Sequence, residues 1–109
     1  MKIIARLERL GDNPETWLRK AGYAMLPANS DGVVSFSRRF SRDFYPRFHV
    51  YYKIMKDKEG NKYVVFNLHL DQKKPGYKGV NRHNAEYDGE VVEREVLRLK
   101  SLLLPDFLV

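Results

Sequence analysis

Two alternating stretches, RFHVYYKIM from Arg47 to Met55 and KYVVFNLHLD from Lys62 to Asp71, flank the pentapeptide Asp57-Lys58-Glu59-Gly60-Asn61. Successive side chains of a strand point to opposite faces, so each stretch sorts its residues into two sets. Phe48, Val50, Tyr52 and Ile54 share one face of the first stretch; His49, Tyr51 and Lys53 share the other. In the second, Val64, Phe66, Leu68 and Leu70 oppose Tyr63, Val65, Asn67, His69 and Asp71. The linker fits a hairpin loop built on a type I turn, with Gly60 left-handed as a bulge. That loop pairs Asp57 with Asn61. Counting back along the ladder sets Tyr51 opposite Asn67, His49 opposite His69 and Arg47 opposite Asp71. Directly opposed side chains sit roughly 4.5–5.5 Å apart at Cβ, so two histidines distant in sequence become neighbours.

A third strand is expected over Val33–Phe40, with Val34 and Phe36 on one side and Ser35, Ser37 and Arg39 on the other. Helical signals bracket the strands. Ile3, Ile4, Leu7 and Leu10 recur at helical spacing before Gly11, although Ile3, Ala5 and Leu7 also alternate as a strand would. Asn13 before Pro14 is a helix start, Trp17, Leu18 and Ala21 give it an apolar side, and Gly22 ends it. The last helix is capped by Asp88 and ended by Pro105. Glu90, Glu93 and Glu95 fall near its start and Arg94, Arg98 and Lys100 fall later, a charge order that suits the helix dipole. Its apolar stripe is Val92, Val96, Leu99 and Leu103, and its charge run reads as a solvated face. The expected fold is α+β in α-β-β-β-α order: a three-stranded antiparallel sheet with helices packed on one face and its other face left to water or a partner.

At 109 residues the chain suits a single domain, 1–109. It has no cysteine, which excludes disulfides, thiolate metal sites and cysteine nucleophiles and fits a cytoplasmic setting. No signal peptide is read at the start, and apolar runs such as Leu102–Leu104 are too short to span a bilayer, so a soluble protein with no membrane partner is expected. The net charge of +6 and pI near 9.6 favour phosphate backbones or acidic proteins as partners.

The helix–strands–helix order resembles the double-stranded RNA-binding domain and the HicA-type toxins that share its topology. The resemblance implies that Lys73 and Lys74, a lysine pair after the last strand, meet phosphate. A long loop separates Lys74 from the last helix, whereas the domain places its lysines at the helix start. The toxin's glycine–histidine signature is absent, so no catalytic residue is carried over. The segment HLDQKK, followed by a histidine and EYDG, also resembles small uncharacterised bacterial proteins, and that likeness supplies no activity.

Three chemistries are compatible with the mixed face and the loop beyond Asp71. Phosphate contacts need cations, and unpaired bases need flat aromatic surfaces, so Arg39, Lys53, Lys73, Lys74, Lys78 and Arg82 with Tyr51 and Tyr77 form a nucleic-acid set, for RNA ahead of DNA. Alternatively, His49 and His69 act as general base and acid in a metal-independent ribonuclease, with Tyr51 orienting a hydroxyl. The third is a metal site of His49, His69, Asp71 and His83, for which no tight ligand motif is present; an Arg47–Asp71 pair is the plainer role for Asp71. Nothing in the sequence asks for a cofactor. A homodimer or protein partner would use the mixed face, the exposed edge of the Val33–Phe40 strand or the acidic segment around Glu86 and Asp88.

Overall fold

The computed structural model describes residues 1–72, 86–87 and 89–108. The hairpin is as the sequence indicates. Strand β4 (Arg47–Lys56) and strand β5 (Lys62–Asp71) pair along their whole length, with Arg47 opposite Asp71, His49 opposite His69 and Tyr51 opposite Asn67. The turn closes through Asp57 N–H to Asn61 O at 2.9 Å, and Gly60 takes φ of 88°, which L side chains rarely adopt. The Asp57 carboxylate accepts from the Asn61 and Glu59 amides at 2.8 and 3.0 Å. These bonds hold its carboxyl below the usual range, outweighing the desolvation that would raise it.

The three-stranded α-β-β-β-α expectation is corrected by the strands around this hairpin. Residues Lys2–Arg6, expected as the start of a helix, form β1, antiparallel to β5. Ile3 and Ala5 are buried while Ile4 is 65% exposed, so the period of two prevails over the helical spacing. Only Leu7–Leu10 winds into a 3₁₀ turn, closed by Gly11 at φ 71°. Helix α1 (Pro14–Lys20) begins as expected, with Asn13 Oδ1 accepting from the Thr16 amide at 2.8 Å. Ala24–Leu26 then forms β2, which pairs with β3 (Ser35–Arg39). The edge assigned to Val33–Phe40 therefore belongs to β2. A two-residue β6 (Glu86–Tyr87) pairs with the end of β5. The described sheet runs β1-β5-β4-β3-β2, with β6 on β5.

Helix α2 (Glu90–Ser101) has Gly89 at its N-cap position, and Asp88, the expected cap, lies outside the described residues. Its Val92, Val96 and Leu99 join Trp17 and Leu18 of α1 and Ile3, Phe36, Phe48, Val50, Val64, Phe66 and Leu68 of the sheet in one buried cluster. Trp17 stacks on Phe66 at 5.1 Å between ring centroids. Each fully buried side chain of this size contributes roughly 1.5–3 kcal/mol, so both helices are held to one face of the sheet by apolar contact. The segment after α2 returns to the 3₁₀ turn: Leu104 N–H donates to Arg9 O, and Arg9 Nε donates to Leu104 O, both at 2.8 Å. Among the described residues, no helix is long and apolar enough to cross a membrane.

Candidate nucleic-acid interface

Alternation in β1, β3, β4 and β5 delivers the polar set to the face away from the helices. Lys2 and Arg6 join it from β1, opposite Asn67 and Tyr63. Ser37 stands opposite His49 and Arg39 opposite Arg47, so one cross-strand row reads Ser37, His49, His69 and the next reads Arg39, Arg47, Asp71. The rings pack as a group: Tyr51 stacks on His69 at 6.0 Å and lies 6.3 Å from His49.

Asp71 is the only carboxylate residue in β1 to β5, and it is buried, at 7% exposure. Arg47 Nε donates to its Oδ2 at 3.4 Å, and His49 Nδ1 lies 3.8 Å from the same oxygen. β6 places Glu86 beside Asp71 in the register. Arg47 in turn lies 4.6 Å over the Tyr45 ring, and Arg39 lies 5.0 Å over the Phe44 ring. The loop between β3 and β4 thus backs both guanidinium groups with aromatic faces, a contact that suits arginine better than lysine. Arg39 also donates to Arg42 O at 3.3 Å.

Two grooves open beside these residues. One, of about 490 Å³, lies between the start of β2 and the β3–β4 loop and is lined by Ser37, Arg38, Arg39, Ser41, Phe44 and Arg47 among others. The second, of about 400 Å³, is more apolar and includes Leu26, Pro27, Val33, His49 and Tyr51; Arg47 lines both.

Behind the first groove, on the helix side, sits a charged network. Glu95, 3% exposed, accepts from Tyr23 Oη at 2.6 Å and from Arg98 Nε and Nη2 at 2.7 and 2.9 Å. Arg38 approaches it at 3.6 Å, and Arg98 also donates to Ala21 O at 2.8 Å. Burial first, then the hydrogen bond and charge of Glu95, push the Tyr23 phenol well above its ordinary range, against Arg98 and Arg38. The Arg98 guanidinium is held more firmly protonated by its bond to Glu95.

Of the residues singled out from sequence, the structure brings together His49, His69, Tyr51 and Asp71 and places Arg39 and Lys53 on the same face. Lys73, Lys74, Tyr77, Lys78, Arg82 and His83 lie outside the described residues. Among the described residues, no group of three or more His, Cys, Asp or Glu side chains is placed to hold a metal ion. Sequence reasoning named Arg47 only as a partner for Asp71 and missed Arg38, Ser41, Lys2 and Arg6. Arg38 alternates onto the helix face and lines the groove together with Gly22, whose φ is 100° and whose added Cβ would lie 3.4 Å from Arg38 Nε. No protein-family model, curated protein or solved structure matches the chain.

Proposed function

We propose that the open sheet face binds nucleic acid, RNA in preference to DNA. The observation that carries this reading is the charge on β1 to β5. Lys2, Arg6, Arg39, Arg47 and Lys53 all project from that face, while the single carboxylate of those strands is buried against Arg47. Phosphates need such cations, and Tyr51 beside the apolar groove offers an unpaired base a stacking surface. RNA presents unpaired bases more often than duplex DNA does, hence the preference. The lysines of the 73–82 segment add to the same charge in sequence. A chain without cysteine suits work in the cytoplasm.

A salt titration tests the reading. The affinity for single-stranded RNA should fall as salt rises, with a log–log slope near −3 for about four phosphate contacts at roughly 0.7 each. Absent binding at low salt, or binding indifferent to salt, would refute it and favour a protein partner or a homodimer instead.

The cross-strand pairing of His49 and His69, with Asp71 near His49, supports a second reading on the same surface. There the two imidazoles cleave RNA through its 2′-hydroxyl, one taking the hydroxyl proton as the oxygen attacks phosphorus and the other, as imidazolium, giving its own proton to the leaving 5′-oxygen, with Tyr51 orienting a hydroxyl. Cleavage should then survive EDTA and disappear in His69→Ala. Cleavage lost in EDTA would instead refute the imidazole pair as the catalyst.

A further inference from the structure

We propose that the groove between β2 and the β3–β4 loop holds a terminal phosphate monoester of the bound RNA. The proposal rests on the nucleic-acid reading above and gives it a point of specificity.

The groove presents three arginines, Arg38, Arg39 and Arg47, with the hydroxyls of Ser37 and Ser41. Their charges are not equally spent. Arg47 is matched by Asp71. The Glu95 carboxylate is engaged by both nitrogens of Arg98, so Arg38, 3.6 Å away and more than a third exposed, is a second cation on an acid already neutralised. Arg39 has no carboxylate partner among the described residues; its contacts are the Phe44 ring and the Arg42 carbonyl. Among the described residues, the arginines Arg38, Arg39, Arg47 and Arg98 therefore face two carboxylates, Asp71 and Glu95, which leaves positive charge in excess at the groove. A phosphate monoester carries close to two negative charges at neutral pH, whereas an internal phosphodiester carries one. The fork of a guanidinium also matches phosphate oxygens in pairs.

The neighbouring groove adds a second, independent feature. It shares Arg47 and Leu26 with the first and continues along the face past Val33, His49 and Tyr51. A phosphate between the arginines thus has apolar and aromatic walls next to it, where the terminal nucleoside would lie. Ser41 Oγ accepts from the Asp43 amide at 3.2 Å, which leaves its own hydroxyl hydrogen to donate to a phosphate oxygen.

The test is fluorescence anisotropy on one RNA 12-mer prepared with a 5′-phosphate, with a 3′-phosphate and with hydroxyls at both ends. One phosphorylated form should bind about tenfold tighter than the hydroxyl form. In Arg39→Gln, whose side chain is exposed and outside the core, that preference should vanish. In Lys53→Gln, which alters the same face away from the groove, all three RNAs should weaken together and the preference should remain. Equal binding of the three RNAs with normal salt dependence would overturn the terminal-phosphate site while leaving RNA binding intact. A preference that survives Arg39→Gln would also overturn it. Absence of binding by every RNA would fell both readings together.

Discussion

Two buried carboxylates, Glu95 and Asp71, are both held by arginine, yet they sit in different kinds of surroundings. Glu95 lies on the helix side and accepts three hydrogen bonds of 2.6–2.9 Å from Tyr23 and Arg98, with Arg38 close behind. These ties join α2 to the end of α1 through Ala21 and to β3. Asp71 lies on the open side and, among the described residues, has one long bond to Arg47 at 3.4 Å with His49 at 3.8 Å. A buried charge is tolerable only when its partners replace water, and Glu95 meets that condition fully. Asp71 meets it loosely, in a row of residues that faces away from the helices. The first carboxylate serves the fold; the second sets the charge of the candidate site.

Substitutions should separate the two roles. Glu95→Ala should cost about 3 kcal/mol, because it leaves the buried Tyr23 hydroxyl without its acceptor and the half-buried Arg98 guanidinium without its acid. Urea unfolding would read this as a lower midpoint with an unchanged slope. Asp71→Asn should cost less, about 1–2 kcal/mol, and should tighten RNA binding by removing the only negative charge of β1 to β5. Equal losses of stability from the two changes would erase the contrast.

Next in size is the response of Tyr23 to alkali. Burial and Glu95 raise its folded-state pKa above the unfolded value near 10. The stabilisation is therefore complete below about pH 10 and is lost as pH rises beyond it. Thermal melts of the wild-type chain should decline there more steeply than those of Tyr23→Phe. The smallest effect belongs to Asp57, whose folded-state pKa is lowered by the turn amides. Its contribution is present above the ordinary carboxylate range and is lost as pH falls through the lowered value. Asp57→Asn should flatten the acid limb of the stability profile slightly, and no RNA contact should change.

What was legible from the sequence was local. The Asp57–Asn61 turn and the strict alternation on either side of it sufficed to pair His49 with His69 and Arg47 with Asp71, as found. The cap at Asn13 was equally plain, because cap and first turn lie within four residues. The segment Lys2–Arg6 was ambiguous: its isoleucines fit both periods, and only the free edge of β5 decided for a strand. β2 and β6, three and two residues long, are too short to show a period of their own and exist through their partners. Glu95 was read with the solvated charge run of α2, since nothing in EVVEREVLRLKS marks which acid meets Tyr23 and Arg38. At the site, His49, His69, Tyr51, Arg39 and Lys53 were all named from alternation, whereas Arg38 and Ser41 depended on a neighbouring strand and loop.

By itself, the sequence determined the central hairpin, its register, and the division of its residues between an apolar and a polar face, because a turn and a period of two act over a few residues. Only the tertiary structure decided how many strands flank that hairpin, which carboxylate is buried beneath the helices, and that Arg38, Arg39 and Arg47 line one groove. Those outcomes depend on which distant segments compete for the same edge or the same carboxylate, and that competition is settled by packing in three dimensions.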